Sequence, residues 1–329
     1  MHRRAVIVSD PTPLTRLPVL SGTLGIELFI KRDDLAGPSL GGNKARQLEY
    51  YFGAAGAAGA DTILITGAVQ SNFVRLAAAV AGSLGMRAIV QLEERVADDS
   101  PPYRRSGNVL LLQMLGAEVM HYPEGEDEAG ADRALENRAA ELKRDGRVPY
   151  IIPLAEGHPP LGALGYVDAA REILAQDAGF DTFVVASGSG ATHAGLLAGL
   201  RGAGSRAQVI GSCVRRDRVS QTARIGRVTK RLAQICEDAR AVRDNDILIW
   251  DGALAPGYGR IGPVAADAMK MMATSEGLLL DPVYTARSFA AVPALVADGT
   301  IAPGSRVCYI HTGGLAALFA YSDHIGGAN

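Results

Sequence analysis

Short runs of β-branched and aliphatic residues alternate with longer segments of helical periodicity along most of the sequence. Predicted strands at residues 61–67 and 87–92 enclose an alanine-rich predicted helix at 72–84. Helices and strands then continue to alternate, with helices at 107–115 and 128–143 and from 161 and 192, and strands at 117–122, 149–153, 182–186 and 207–213. Strands separated by helices form parallel sheets that helices cover on both faces.

A chain of this kind forms either a closed barrel or open sheets. The first 40 residues contain prolines and short, glycine-punctuated strands before the regular alternation begins, which argues against a plain barrel. We therefore predict an α/β fold with two open parallel-sheet lobes, helices on both faces of each sheet, and a ligand cleft between the lobes.

Composition excludes several classes of function. The 329 residues are 48% hydrophobic and 21% charged, as in globular proteins. The net charge is -2 and residues of both charges are well mixed along the sequence, which offers no basic face to nucleic acid. No apolar run is long enough for a membrane span or a signal-peptide core. Cys213, Cys236 and Cys308 form no C-x-x-C pair, which favours reduced thiols and a cytoplasmic location over disulfides or a metal site.

A lysine stands at a predicted helix start in residues 41–49, which read GGNKARQLE. Asn43 is a suitable N-cap and Glu49 lies in the first turns, so Lys44 would be the first helical residue. The positive end of the helix dipole disfavours an ammonium group there. Lys44 should therefore lose its proton readily, as bonding to a carbonyl cofactor requires, although a surface lysine after a Gly-Gly turn is the alternative.

A glycine-rich turn connects a predicted strand to a predicted helix in residues 184–196, VVASGSGATHAGL. The backbone amides of such a turn and the helix dipole favour an anion. No Lys follows as in a P-loop, and His193 occupies the last position of a G-x-G-x-x-G pattern. An isolated phosphate group is thus the preferred ligand, with a purely structural turn as the alternative.

Hydroxyl and amide side chains lie in other predicted turns. Gln70-Ser71-Asn72 follows a strand, Tyr258 lies between two glycines, and residues 281–285 and 311–314 read DPVYT and HTGG. Together with Lys44 and the phosphate turn, these residues supply the parts of a pyridoxal phosphate (PLP) site, in which the protein binds and orients the cofactor.

The sequence resembles the family of D-cysteine desulfhydrases and aminocyclopropane-carboxylate (ACC) deaminases, PLP enzymes of fold type II with a tryptophan-synthase-β-like fold. The resemblance covers nearly the whole chain. It is carried, in the family's order, by FIKRDDL, GGNKARQLE, GAVQSN, LGALGYV, ASGSGATHAG, APGYG, LLLDPVYT and HTGGLAALFAY.

The resemblance implies a role for each site residue. Lys44 would be the Schiff-base lysine, and Asn72 would contact the ring hydroxyl of PLP. Ser71, Tyr258 and Tyr284 would face the substrate, whose carboxylate would bind near Ser71 and Asn72, with Gln70 and His158 as further substrate contacts. The implied phosphate cradle consists of Gly188, Ser189, Gly190, Ala191 and Thr192.

The resemblance also implies the domain organisation and the assembly. Residues 1–46 and 157–329 would form a large PLP-binding domain, residues 47–156 a small inserted α/β domain, and two chains a homodimer. Family deaminases have a glutamate at the pyridine nitrogen of PLP where this chain has Thr285, which resembles the desulfhydrases. Thr312 would lie close to Thr285 and could share that contact.

Several positions depart from the usual sequence of the desulfhydrases. Phe73 replaces a histidine, the loop at 154–160 has a deaminase-like length, and residues 260–263 and 286–288 also differ. These departures affect the predicted substrate more than the predicted chemistry.

The predicted function is β-elimination from a small β-substituted amino acid, with D-cysteine giving pyruvate, hydrogen sulfide and ammonia. Either Lys44 or Ser71 would remove the α-proton. The alternatives are a cysteate sulfo-lyase, an ACC deaminase, and a non-catalytic protein that binds PLP or an amino acid. A sulfonate would require a cation, and the candidates are Arg75, Arg260, Arg287 and His158.

Overall fold

The computed structural model describes residues 2–154 and 157–325. Its strands form a six-stranded sheet in the order β1-β2-β10-β7-β8-β9 and a four-stranded sheet in the order β5-β4-β3-β6. The strands are β1 (Leu14–Arg16), β2 (Glu27–Lys31), β3 (Thr62–Ala68), β4 (Arg87–Glu93), β5 (Glu118–Tyr122), β6 (Pro149–Ile152), β7 (Thr182–Ser187), β8 (Gln208–Cys213), β9 (Leu248–Trp250) and β10 (Arg306–Ile310). Every pairing is parallel except the antiparallel pair of β1 and β2.

Helices connect the strands, as parallel pairing requires. The helices are α1 (Pro18–Leu24), α2 (Lys44–Ala57), α3 (Asn72–Ser83), α4 (Pro101–Arg105), α5 (Gly107–Met114), α6 (Glu128–Arg144), α7 (Leu161–Gln176), α8 (Ala191–Gly202), α9 (Arg218–Leu232), α10 (Pro263–Glu276), α11 (Thr285–Phe289), α12 (Ala291–Ala297), α13 (Leu315–Ala320) and α14 (Ser322–Ile325). Three short 3₁₀ helices in the described residues are Asp33–Leu35, Glu237–Ala241 and Asp244–Asp246.

The four-stranded sheet is covered on both faces because successive side chains of a strand point to opposite sides. Ile63 and Ile65 of β3 pack with Val74 of α3, whereas Leu64 packs with Leu135 of α6. All residues of β3 are buried, as expected for a central parallel strand.

The six-stranded sheet is built in the same way. Val184 of β7 faces a core that includes Phe289 of α11. Its neighbours Phe183 and Val185 face a core that includes Leu197 of α8. Each sheet therefore lies between helical layers, and the predicted fold class of two open parallel sheets is confirmed.

The strands and helices predicted from alternation are confirmed within one or two residues at their ends. The domain boundaries stay a prediction, and the predicted end at residue 156 lies outside the described residues. One local prediction was wrong. Lys44 begins α2, but the Asn43 side chain does not cap this helix. Its Nδ2 instead donates to Thr192 Oγ1 at 2.8 Å, and Glu49 Oε1 accepts from the backbone of Val8.

Candidate active site

A cavity that takes in about 960 Å³ of empty space, including the solvent at its open mouth, lies where the carboxyl ends of strands from both sheets meet. The turn after β3 and the start of α3 form one part of its wall, and the turns after β7, β8 and β10 form another. Ligands of open α/β sheets bind at such strand ends. The predicted site residues that line this cavity are Lys44, Ser71, Asn72, Gly188, Ser189, Gly190, Thr192, Tyr258, Tyr284 and Thr312.

Lys44 is half-buried in the cavity wall at the first position of α2. Its Nζ lies 3.3 Å from Gln47 Oε1 and 5.1 Å from the centre of the Phe73 ring. Within the described ranges no carboxylate forms an ion pair with Lys44, and burial lowers the pKa of this amine from 10.5 to about 8. A substantial neutral fraction therefore exists near neutral pH, and a neutral amine can attack an aldehyde.

The turn that leads into Lys44 has a strained backbone. Ser39 and Leu40 have φ values of 52° and 64°, a region that side chains other than glycine rarely adopt. Arg75 of α3 is fully buried and donates from its guanidinium to the carbonyl oxygens of Ser39 and Gly41. Arg75 was a candidate cation for a sulfonate, but it does not line the cavity and instead holds this turn.

Asn72 is held in place by a neighbouring asparagine. Its Oδ1 accepts from Asn108 Nδ2 at 3.0 Å, which leaves Asn72 Nδ2 as a donor for a ligand. Gln70 is buried, and its side chain donates to the carbonyls of Tyr103 and Ser106 and accepts from Asn108 N. Gln70, predicted to contact substrate, does not line the cavity and instead fixes the connection between α4 and α5.

Ser71 caps α3 at the end of the turn after β3. Its Oγ accepts from Val74 N at 3.3 Å, so the hydroxyl hydrogen can still be donated to a ligand. A Cβ atom on Gly67 would lie 2.7 Å from this Oγ. The glycine therefore makes room for the serine hydroxyl at the strand end.

The glycine-rich turn presents a hydroxyl donor and a helix start to the cavity. Thr192 Oγ1 accepts hydrogen bonds from Asn43 Nδ2 and Gln47 Nε2, both at 2.8 Å. With its acceptor positions used, the hydroxyl hydrogen can serve an anion beside the amides that open α8. Gly190 has a φ of 103°, which favours glycine, and Ala191 lines the neighbouring cavity rather than this one.

A buried polar group supports this turn from behind. Ser187 Oγ lies 3.2 Å from His193 Nδ1, and Gln221 Nε2 donates to Ser187 Oγ and to the carbonyl of Gly188. Burial lowers the pKa of His193 from 6.5 to about 4, so the imidazole is neutral at physiological pH. His193 therefore orders the turn as a neutral partner.

Two tyrosines form a hydroxyl pair on the cavity wall. The Tyr258 and Tyr284 oxygens lie 2.6 Å apart, and their rings meet edge to face. Burial, the neighbouring Tyr258 and their shared hydrogen bond raise the pKa of Tyr284 well above its usual value. Tyr284 therefore stays protonated and can donate the shared hydrogen bond to Tyr258, whose own hydroxyl hydrogen is then available to a departing group.

The two threonines proposed for the pyridine nitrogen occupy different environments. Thr312 lines the cavity. Thr285 is fully buried, does not line the cavity, and donates from Oγ1 to Asp281 Oδ1 at 2.7 Å. The geometry therefore favours Thr312 for a cofactor contact, whereas Thr285 stays a prediction.

The remaining cations predicted to meet a sulfonate do not line the cavity. Arg287 is buried elsewhere, and Arg260 is exposed and lines a separate groove. His158 lines an adjoining cavity, with its Nε2 3.9 Å from Asp132 Oδ2. The charged side chains of the cavity wall that sequence reasoning missed are Arg95, Glu128, Arg215, Arg216 and Arg224.

Two of these missed arginines follow closely after strands. Arg95 comes two residues after the end of β4 and pairs with Glu93 at 2.6 Å. Arg215 comes two residues after β8, and its guanidinium carbon lies 5.9 Å from the centre of the Tyr258 ring. The rule that functional groups collect at the carboxyl ends of parallel strands would have identified both positions.

Within the part of the chain that the structure describes, no group of three or more His, Cys, Asp or Glu side chains could hold a metal ion. No helix in the same residues is long and apolar enough to cross a membrane.

Comparison with known proteins decides the family. A protein-family model described as "Pyridoxal-phosphate dependent enzyme" matches residues 8–313. The chain belongs to this family. The PLP-dependent enzymes include relatives similar to the chain over almost its full length, among them the D-cysteine desulfhydrase of Salmonella choleraesuis (strain SC-B67). It is 39% identical over 326 residues, which cover 98% of this chain and 97% of that protein. The D-cysteine desulfhydrase of Salmonella typhi matches to the same extent.

Solved structures of other proteins show the same architecture. A crystal structure of an ACC deaminase homologue is 36% identical, has a TM-score of 0.86, and covers 98% of this chain and 95% of its own. The O-ureido-L-serine synthase structure, at 19% identity and a TM-score of 0.69 over 97% and 93% of the two chains, shares the fold. The predicted family, fold and cofactor are confirmed.

The residues of the cavity fit PLP. Lys44 offers a deprotonable amine for the aldehyde group, and Thr192 offers a hydroxyl whose acceptor positions are already used. Asn72 Nδ2 and Thr312 remain as polar groups for the ring substituents. These features match the aldehyde, the phosphate and the ring of the cofactor.

Proposed function

We propose that this protein is a PLP-dependent carbon–sulfur lyase that converts D-cysteine and water into pyruvate, hydrogen sulfide and ammonia. Its similarity to D-cysteine desulfhydrases supports the substrate. The observation that carries the proposal is the shared cavity wall: a lysine with a pKa of about 8, a phosphate-type turn and a tyrosine hydroxyl pair all line it.

The chain's residues divide the task of holding the cofactor. Lys44 would hold the aldehyde carbon and the turn from Gly188 to Thr192 the phosphate, while Asn72 Nδ2 would serve the ring hydroxyl and Thr312 the pyridine nitrogen. Bound PLP supplies an electron sink for the electron pair that remains when the α-proton leaves.

Substrate binding and proton removal fall to the start of α3 and to Lys44. The Ser71 hydroxyl and the first amides of α3 bind the substrate carboxylate, because a helix N-terminus favours an anion. After the substrate's amino group has taken the place of Lys44 at the aldehyde carbon, the freed Lys44 amine would accept the α-proton. We favour Lys44 over Ser71 as the base because the lowered pKa of Lys44 gives a neutral fraction near pH 7.

The tyrosine pair handles the departing sulfur. Tyr258 donates a proton to the leaving thiolate, and Tyr284, which keeps its proton, donates a hydrogen bond to the Tyr258 oxygen that becomes charged. Arg95 and Arg215 line the same cavity and stabilise the negative charge that develops on sulfur.

A second candidate function follows from those arginines. Arg95 and Arg215 line the cavity wall as cations for a sulfonate, which supports elimination of sulfite from cysteate, but the sulfonate would compete with Glu93 for Arg95 and with Glu126 and Glu128 for Arg215. This assignment replaces the cations predicted from the sequence, which lie away from the cavity wall.

A homodimer and a cytoplasmic location belong to the same proposal. The family resemblance supports the dimer, and the sparse, unpaired cysteines support a reducing compartment. Sedimentation of the loaded enzyme would measure the assembly directly, and a mass equal to one chain would contradict it.

The test is a substrate panel with product detection. Loaded enzyme is assayed for keto acid with D-cysteine, L-cysteine, cysteate, D-serine, β-chloro-D-alanine and ACC, and for sulfide or sulfite where these can form. We expect the highest kcat/KM with D-cysteine, and loss of turnover in Lys44→Ala but not in Lys230→Ala, a change at an exposed lysine of α9.

Some outcomes of these assays would contradict or change the proposal. Turnover that survives in Lys44→Ala, or no keto acid from any substrate, would exclude a PLP lyase built on this cavity. A higher kcat/KM with cysteate would select the second candidate function, and one with ACC would select a deaminase.

A further inference from the structure

Arg287 is a fully buried arginine that contacts backbone carbonyl oxygens rather than substrate. Its Nη1 donates to Val214 O at 3.1 Å and to Leu254 O at 3.3 Å. Its Nη2 donates to Gly257 O and, at 2.7 Å, to Arg260 O. One guanidinium group thus joins α11, the turn after β8, and the loop of residues 254–260.

This loop carries one member of the tyrosine pair. Tyr258 lies between the two loop carbonyls that Arg287 Nη2 contacts, and Gly257 and Gly259 beside it have φ values of 129° and 70°. Tyr284, the other member, immediately precedes α11, three residues before Arg287. The arginine therefore holds the loop that carries Tyr258 against the helix that follows Tyr284.

The charge of Arg287 is satisfied without a carboxylate. Within the described residues no Asp or Glu forms an ion pair with it, and burial lowers its pKa below the ordinary arginine value. A buried cation of this kind is costly to the fold. Its carbonyl contacts lie around a loop at the active site, so a positional role in the reaction accounts for its presence.

We infer that Arg287 is a positioning residue that keeps the Tyr258 hydroxyl within hydrogen-bonding distance of Tyr284. The inference rests on the proposed function insofar as the tyrosine pair delivers a proton to the leaving sulfur. Without the guanidinium group, the loop loses three hydrogen bonds and the turn after β8 loses one, so the 2.6 Å contact between the two hydroxyls is no longer enforced.

The test uses loaded full-length enzyme and two substitutions of Arg287, together with control variants. Arg287→Met removes all the N–H donors of the guanidinium group while keeping a side chain of similar length. Arg287→Lys keeps the positive charge but not the planar guanidinium geometry that reaches several carbonyls at once. Ser288→Ala is the matched control, because Ser288 is buried on the same helix and bonds to Thr285 and Tyr309 rather than to the loop. Amide hydrogen exchange of the 254–260 peptide is measured alongside kcat and KM for D-cysteine.

We expect exchange in residues 254–260 to accelerate at least about tenfold in Arg287→Met, with a smaller change in Arg287→Lys and none in Ser288→Ala. A displaced proton donor should lower kcat about 100-fold, with a smaller effect on KM. The double variant Tyr258→Phe with Arg287→Met should have a kcat only slightly lower than that of Tyr258→Phe alone, because both changes act through the Tyr258 hydroxyl.

A merely structural role gives other results. The inference would be overturned if hydrogen exchange in residues 254–260 were unchanged in Arg287→Met. It would also be overturned if the fold-losses in kcat of Arg287→Met and Tyr258→Phe multiplied fully in the double variant. If Arg287→Met does not fold, Arg287→Lys is subjected to the same measurements and the same criteria. An enzyme that turns over no substrate would refute the proposed function, while hydrogen exchange would still decide whether Arg287 holds the loop.

Discussion

Phe73 packs against the Lys44 amine, and exchanging Phe73 for a polar residue tests why that amine is reactive. The ring centre lies 5.1 Å from Lys44 Nζ, and burial lowers the Lys44 pKa from 10.5 to about 8. At pH 7 a lysine of pKa about 8 is neutral in about one molecule in ten, compared with about one in three thousand for an ordinary lysine. The surroundings of Lys44 thus increase its reactive form about 300-fold.

Two effects of Phe73 on the amine oppose each other. Its ring faces the ammonium and stabilises the charged form by about 0.5–1 kcal/mol. Its apolar surface also excludes water and so destabilises the charged form, as part of a desolvation by all surrounding groups that together corresponds to about 3.4 kcal/mol. Because desolvation is the larger effect, Phe73→Gln should raise the Lys44 pKa by about one unit, while Phe73→Leu should leave it unchanged or slightly lower.

The assay follows uptake of PLP by cofactor-free protein, with borohydride reduction and peptide mapping to place the bond on Lys44. Because only the neutral amine reacts, the wild-type rate should rise about tenfold per pH unit and level off above about pH 8. In Phe73→Gln the plateau should begin about one unit higher. A wild-type plateau near pH 10.5, or equal shifts in Phe73→Gln and Phe73→Leu, would refute this explanation.

Three further predictions concern the phosphate turn and the threonines. Gly190→Val forces a β-branched residue to a φ of 103°, so it should weaken PLP binding while turnover per bound cofactor stays normal; normal binding measured by equilibrium dialysis would contradict this. The pKa of His193 is about 4 in the folded chain, compared with an ordinary value of 6.5. As the pH falls from 6.5 to 4, the imidazole therefore gains a proton in the unfolded chain but not in the folded chain, and the fold should lose up to about 3 kcal/mol of stability. Urea unfolding between pH 7 and 4 measures this loss, which His193→Gln should reduce. Thr312→Val should change the visible absorbance of bound PLP. Thr285→Val should leave that absorbance unchanged but lower the stability of the fold by about 1–3 kcal/mol, because Asp281 loses a buried hydrogen-bond partner. The reverse pattern would assign the cofactor contact to Thr285.

The fold was predictable because periodicity reports directly on which residues must be buried. The fully buried β3 contains Ile63, Leu64 and Ile65 in succession, and these alternate between the cores on the two faces of its sheet. The sequence could not reveal how the Asn43 side chain is used. Its amide can cap a helix or donate to a distant hydroxyl, and only the approach of Thr192 from α8 decides between them.

The candidate site was predictable where a motif fixes the local backbone, as at Lys44 and Gly190. Gln70 shows the limit of this reasoning, because it lies one residue from Ser71 in the same turn. The turn directs the Gln70 side chain toward backbone groups of Tyr103, Ser106 and Asn108, so neighbours in the sequence perform different tasks. Sequence adjacency does not specify the direction of a side chain.

The arginines show why charge alone is a poor guide to a binding site. A sequence gives the number of guanidinium groups but not the acceptors that surround each of them. Arg75 and Arg287 are both fully buried and both donate to backbone carbonyls, so their positive charge serves to order the turns at the active site. Arg95 and Arg215 follow strand ends and line the cavity, where Arg95 pairs with Glu93 and Arg215 lies over the Tyr258 ring. Selectivity for an anionic β-substituent should therefore respond to Arg95 and Arg215, whereas the geometry of proton delivery should respond to Arg287.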